Sequence, residues 1–322
     1  MTVNKCVHEY KRGGKSRMKS KSKVKFYQCL PFYLMALPGI LYLICNNFMP
    51  LYGMLLAFKR LDVMKGILGS DWVGFDNFKF LFSSNTAFTI IRNTIGYNLV
   101  FIILGTMIAV ALAILLNEIR SKGFSKFYQS MLLIPYLISW VLASYLAYAF
   151  LAQDVGLINS VLKFFGKENI AWYSTQKYWP FILFFVYIWK GVGYMLIIYY
   201  SSIVSISADY YEAATIDGAT KWQQIKSITL PLIKSTVVTM TILNLGRIAN
   251  SDFGLFYQIT RNSGALYGAT QTIDVYVYNA LMNNNDFALS AAAAVFQSVV
   301  GFAFILIANA AVKRYSKQDA LF

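Results

Sequence analysis

Residues Glu212–Ile233 read EAATIDGATKWQQIKSITLPLI, and this stretch decides how the rest of the chain is understood. It carries Glu212, Asp217, Lys221 and Lys226, contains Gly218 and reaches Pro231, while the sequence on either side is apolar enough for lipid. Asp209 stands three residues before Glu212, a spacing that can satisfy exposed N–H groups at a helix start. A first helix is therefore expected from about Tyr210 to Ile216, ended by Gly218, which takes the left-handed conformation cheaply. Thr220 and Gln223 repeat the capping spacing for a second helix, which Pro231 is expected to close or kink. On that helix Trp222 and Ile225 share one face, Lys221 and Gln224 another. Two capped, charged helices between apolar segments make a rigid projection, suited to a lever or a docking knob.

Composition sets the class of the surrounding chain. Of 322 residues, 57% are hydrophobic and only 13% charged, whereas soluble domains carry about 25% charged residues. A soluble fold could not hide that much apolar surface, so lipid must cover it. Six segments approach the roughly 20 apolar residues that a crossing helix needs: 30–49, 90–117, 128–152, 179–203, 234–255 and 288–312. Lys190 and Arg247 interrupt the fourth and fifth. The expected fold is an all-α integral membrane protein of six helices, with a basic tail over 1–29 and a membrane domain over 30–322.

Lys and Arg resist translocation, so their placement sets orientation. The first 25 residues alone hold nine of them. With that tail inside, eighteen basic residues fall on cytoplasmic segments and eight on outer ones. Both termini and the 207–231 loop are then cytoplasmic. The net charge of +15 is thus mostly a topology signal, and the tail reads as a lipid-facing anchor, not a nucleic-acid site. Its GGKS, residues 13–16, imitates a phosphate loop, but Glu9 stands where the first glycine would have to be. Cys6, Cys29 and Cys45 have no metal-like spacing. The first apolar segment reads as a retained span. Outside, DNFKFLFSS and GLINSVLKFFG are amphipathic, and either lie along the membrane surface or pack against the bundle.

The decisive stretch also carries a resemblance. Glu212-Ala213-Ala214, three residues, Gly218, nine residues, Ile228, one residue and Leu230-Pro231 is similar to the EAA signature of ABC importer permeases. Its place between the fourth and fifth of six spans matches as well. WVGFDNFKFLF (72–82), LLNEIRSKGFSKF (115–127), LLIPYLISWV (132–141) and IWKGVGY (188–194) resemble the carbohydrate branch, with its type I, maltose-permease-like fold. Within that branch the LplB-like polysaccharide or oligosaccharide permeases are most similar. The resemblance implies a bacterial cell-membrane subunit importing an oligosaccharide. Its implied partners are a second homologous permease, two cytoplasmic ATPase subunits that bind ATP and Mg, and an extracellular substrate-binding protein. This chain would hold no cofactor itself. The resemblance makes 207–231 the coupling helix: Glu212 would pair with a basic group on the ATPase, Ala213 and Ala214 would allow close approach, and Gly218 the turn. Asp217 either caps that turn or meets the partner.

Ionisable groups inside spans are costly and commonly face a pathway or a partner. Tyr187, Lys190 and Tyr194 share a helical face in the fourth span; Asn244, Arg247 and Ser251 do so in the fifth, with Asn250 beside them. These stripes suggest a hydrated sugar route, against the alternative that Arg247 pairs with Asp252 or caps the carbonyls of a broken helix. With Asp252 the nearby acid, one cation lacks a counter-ion, and either a uronate cargo or an acid on the partner permease would supply it. Two other functional classes fit the sequence less well. A membrane enzyme needs a catalytic constellation, and the single histidine is His8 in the tail. An accessory or sensor subunit has no need of an ATPase-docking loop.

Overall fold

The computed structural model describes residues 26–83 and 85–315; the tail with His8 and the GGKS run lies outside them. The chain divides into one unit ending at Tyr52 and another beginning at Gly53. In the first, α1 (Phe26–Leu43) passes into a π-helical turn at Ile44–Phe48. The apolar helical stretch long enough to cross a membrane runs Phe32–Phe58.

The second unit opens with an outer hairpin, in which β1 (Lys59–Arg60) pairs antiparallel with β2 (Asp71–Trp72). Asn77 ties it down, donating its amide to Ala57 O at 3.0 Å and Lys59 O at 2.9 Å. Then come α2 (Asn85–Asn117), α3 (Lys122–Leu137), α4 (Trp140–Leu151), α5 (Leu157–Phe164) and α6 (Trp179–Val204). After them follow α7 (Ala208–Ile216), α8 (Lys221–Leu245), α9 (Ile273–Asn284) and α10 (Phe287–Tyr315). Counting the bent α3–α4 pair as one span gives six candidate membrane crossings.

Apolar surface earns nothing by leaving lipid, so small residues and tight packing hold such bundles together. Ala109 and Ala113 of α2 are fully buried against Val192, Leu196 and Tyr199 of α6. Gly193 lets α6 touch the backbone of α3, because a Cβ there would overlap the Leu132 carbonyl. A second core gathers Trp179, Leu183, Leu255, Phe256 and Leu266, all buried. Outside, α5 turns Leu157, Val161 and Phe164 to the exterior, as a helix lying on a membrane surface would. The DNFKFLFSS run forms only a 3-10 turn at Asp76–Phe78 and a single helical turn at Phe80–Ser83.

Two expected spans are not single straight helices. The third breaks at Ile138 and Ser139, and α3 and α4 meet at 95°. Pro135 sits in the last turn of α3, and Ser139 caps α4 by accepting the Leu142 N–H at 3.2 Å. Lys190 fills the corner. Its ammonium donates to Pro135 O at 3.4 Å, Tyr136 O at 2.9 Å and Ile138 O at 2.5 Å, and lies 4.9 Å from the Trp140 ring centre. A lysine in an apolar span thus serves as the C-cap of a neighbouring helix, completing carbonyls that lipid cannot satisfy.

The fifth span, expected through 255, ends as a helix at Leu245. Residues 246–253 form irregular turns before a π-helical segment, Gly254–Ile259, begins. Asp252 restarts the helix by accepting the Gly254 and Leu255 N–H groups at 3.0 and 3.3 Å. It is a cap, with no ion pair to Arg247 among the described residues.

Lys190→Met should leave three carbonyls without their donor, at about 1–3 kcal/mol for each buried group left unsatisfied. We expect a lower melting temperature of the purified protein and faster proteolysis near residues 136–140. Wild-type values on both measures would mean that Lys190 does not hold the bend.

Candidate functional site

The face expected to be cytoplasmic is built by α7 and α8. Ser207, not Asp209, caps α7: its hydroxyl accepts the Asp209 N–H at 3.3 Å, and Asp209 occupies the first turn. There its charge faces the positive end of the helix dipole. Gly218 (φ +79°) ends α7, with Ala219 N donating to Ala214 O at 2.8 Å and Gly218 N to Thr215 O at 3.1 Å. These two bonds make a Schellman cap. Asp217 is the exposed C-cap residue of this turn.

The second helix starts with the expected capping box: Gln223 N donates to Thr220 Oγ1 at 3.4 Å and Thr220 N to Gln223 Oε1 at 2.7 Å. Buried Gln224 donates to Thr215 Oγ1 at 2.9 Å, which locks the two helices at their turn. Tyr211 and Thr229 hydroxyls, 2.9 Å apart, lock them farther on. Pro231 does not close this helix. A π-turn at Ile225–Thr229 absorbs its missing N–H, with Leu230 N donating to Ile225 O, and α8 continues unbroken from Lys221 to Leu245. The second cytoplasmic helix and the inner half of the fifth span are therefore one rod. Half-buried Ile228 and exposed Leu230 lie on it.

Glu212 and Ala213 are exposed and Ala214 is half-buried. Tyr210, Ile216 and Trp222 stand 58%, 86% and 71% exposed on a face that the topology puts in water. Apolar groups displayed beside Glu212, whose carboxylate has no ion pair among the described residues, suit a protein partner. Lys221 turns away from them to pair with Glu118 at 3.2 Å, just beyond the inner end of α2. Sequence reading missed that pair.

The membrane residues divide. Tyr187 stacks on Phe101 at 4.0 Å inside the core, and Lys190 is consumed at the bend. Tyr194 is 48% exposed and stacks on Tyr136 at 4.9 Å. Beyond Leu245 helical spacing no longer applies. Arg247 N donates to Asn244 O at 3.0 Å and Asn250 N to Arg247 O at 2.9 Å. Successive three-residue turns therefore align Asn244, Arg247 and Asn250. Ser251 leaves that face, its N–H and hydroxyl both reaching Asp274 Oδ2, at 2.6 and 2.7 Å. Arg247 and Asn250 are exposed, and the Arg247 side chain has no hydrogen bond or ion pair among the described residues.

The unwound backbone is held by amides from two neighbouring spans. Asn98 donates to Ile248 O at 2.8 Å and Asn250 O at 2.7 Å. Gln297 donates to Ala249 O at 2.9 Å and Asp274 Oδ1 at 3.1 Å. Neither amide was singled out from the sequence, although a lone Asn or Gln in a crossing helix is itself a signal.

Comparison with known proteins places this geometry. Residues 102–317 match the family described as binding-protein-dependent transport system inner membrane component. The chain is 33% identical to the polygalacturonan/rhamnogalacturonan transport system permease protein YteP of Bacillus subtilis, over 94% of each chain. It is 31% identical to protein LplB of the same organism, over 90% of each. A crystal structure of a bacterial ABC transporter involved in the import of the acidic polysaccharide alginate superposes with a TM-score of 0.81 at 30% identity. That match covers 89% of this chain and 96% of the other.

Gly218→Val would force a left-handed residue with a branched side chain, at about 1–2 kcal/mol. The expected result is normal membrane insertion with a looser turn, seen as faster amide exchange at Ala219. Unchanged exchange would show that the Schellman cap does not fix the loop.

Proposed function

The chain belongs to the family of binding-protein-dependent transport system inner membrane components, and we propose that it forms half of the route by which an acidic, polysaccharide-derived oligosaccharide enters a bacterial cell. The observation carrying this reading is the α8 rod. It joins an exposed docking surface at Glu212 and Trp222 to an unwound membrane segment that displays Arg247 and Asn250. Movement imposed at the cytoplasmic end would be delivered to the break, because α8 runs from Lys221 to Leu245 with no break in its helix.

In this mechanism Glu212 pairs with a basic group of an ATPase subunit, and Tyr210, Ile216 and Trp222 seat in its cleft. ATP and Mg belong to that partner. One coupling loop per chain calls for a second homologous permease, since an ATPase dimer offers two clefts. Cargo arrives from an extracellular binding protein. Arg247, lined up with Asn244 and Asn250, supplies a cation and amide donors to a carboxylate-bearing sugar, and Tyr194 a ring for a sugar face. Lys190 is a positioning residue that shapes the corner behind Tyr136. The names of the similar proteins, which cite polygalacturonan, rhamnogalacturonan and alginate, support an acidic cargo.

Reconstitution with the partner permease, ATPase subunits and binding protein in liposomes tests the reading. Trigalacturonate uptake should need all of these partners, and transport by this chain without the second permease would contradict the assembly. Glu212→Lys places a like charge at the cleft and should abolish ATP-driven uptake while leaving the protein inserted. Retained uptake and ATPase binding would remove Glu212 from the docking surface. Arg247→Gln should lower uptake of trigalacturonate more than that of its neutral methyl ester; equal effects would make Arg247 structural.

A further inference from the structure

On the outer side, two cavities meet at Arg261. The larger, about 420 Å3, lies between the end of α4 and the residues after it (Tyr148 to Val155), the Trp172–Ser174 loop and Ser263. The smaller, about 220 Å3, is bounded by Tyr145, Tyr257 and Gln258. The larger volume is typical of small-ligand sites, which span roughly 300–1,000 Å3.

Arg261 is placed there with care. Its φ of +55° and that of Asn262, +49°, are uncommon for residues with side chains and are kept only where surroundings impose them. The surroundings are visible. Asn262 N donates to Tyr257 O at 3.0 Å, and its side-chain amide forms a reciprocal pair with Asn279 at 3.0 and 3.1 Å. Tyr267 donates its hydroxyl to Asn262 Oδ1 at 3.1 Å. The result sets the Arg261 guanidinium 4.1 Å over the Tyr148 ring. Stacked so, it keeps its fork of donors open, with no side-chain hydrogen bond or ion pair among the described residues. Asp154 lines the same cavity without pairing to it. The Tyr173 hydroxyl is buried nearby with no partner among the described residues, and burial pushes its pKa up to about 12, so it remains a neutral donor.

We infer that this double cavity is an outer subsite for a single uronate unit, through which the acidic cargo passes before it reaches the unwound segment. The guanidinium fork accepts the carboxylate in a bidentate pair. Tyr148, Tyr145 and Trp172 present rings to a pyranose face, and Asp154 accepts from a sugar hydroxyl. The inference rests on the acidic-cargo reading and adds to it a second discriminating cation besides Arg247.

The test uses the whole importer in liposomes, with its binding protein, and compares trigalacturonate with its methyl ester. Arg261→Gln should raise KM for trigalacturonate roughly ten- to hundredfold, the range for losing charge-assisted hydrogen bonds, and leave kcat and ester uptake near wild type. Arg261→Lys, which keeps the charge but not the fork, should recover only part of the loss. Trigalacturonate should also quench tryptophan fluorescence of the wild-type complex and not of Arg261→Gln. Wild-type KM in Arg261→Gln overturns the subsite. An equal loss for acid and ester also overturns it, and makes Arg261 a contact for the binding protein. If wild type neither imports nor binds trigalacturonate while importing a neutral oligosaccharide, the acidic-cargo reading fails and the subsite with it.

Discussion

In hydrocarbon no water completes an open N–H or C=O, so a crossing chain stays helical or finds side chains to finish it. This constraint organises the protein. Where the third span bends by 95°, Lys190 supplies three donations to the freed carbonyls. Where the fifth unwinds, Asn98 and Gln297 donate to Ile248, Ala249 and Asn250, and Asp274 receives Ser251. Each break is thus fixed by a neighbouring helix, and the two irregular regions are as specified as the regular ones. Buried polar networks of this kind hold one arrangement when every member is satisfied.

The same constraint decides where a crossing segment stays helical and where it does not. Pro231 would ordinarily weaken a helix, yet the π-turn before it carries α8 through as one rod to Leu245. The departure from regular helix falls instead at 246–253, where the backbone is held by side chains of α2, α9 and α10. Under the proposed mechanism, a push at the Gln224–Thr215 lock would be felt beyond Leu245, beside the exposed Arg247 and Asn250. The Lys221–Glu118 pair ties the driven end of the rod to α2, whose Asn98 grips the break. Exposed as it is, that pair contributes little to stability and serves mainly to set geometry.

Much of this was legible in the sequence because its signals were local. The capping box at Thr220 and Gln223, the turn at Gly218 and the long uncharged runs each depend on residues a few positions apart. The errors share a physical cause. Ser207 displaced Asp209 as the cap because both spacings are acceptable and the incoming chain chooses. Pro231 was expected to close or kink its helix, and it does not close it, because propensity cannot foresee a π-turn. Helical spacing was carried past Leu245, although Gly246 and the run Asn250-Ser251-Asp252 are turn-forming residues. Lys190 and Arg247 looked alike as cations in apolar spans; only the fold shows one buried against carbonyls and the other exposed. The residues that hold the break come from partners some 23 to 152 positions away, which no local pattern reveals.

The central claim is that α8 moves as one piece and that the change of shape falls at 246–253. Spin labels replacing Trp222, Leu243 and Ala265, three exposed sites, in a chain stripped of its cysteines would measure this by pulsed dipolar distances in the assembled importer. The first pair spans 21 residues of helix, about 31 Å at 1.5 Å per residue. On ATP binding the 222–243 distance should stay constant while the 222–265 distance shifts. A change in 222–243 with 222–265 constant would place the hinge at Pro231 and contradict the account.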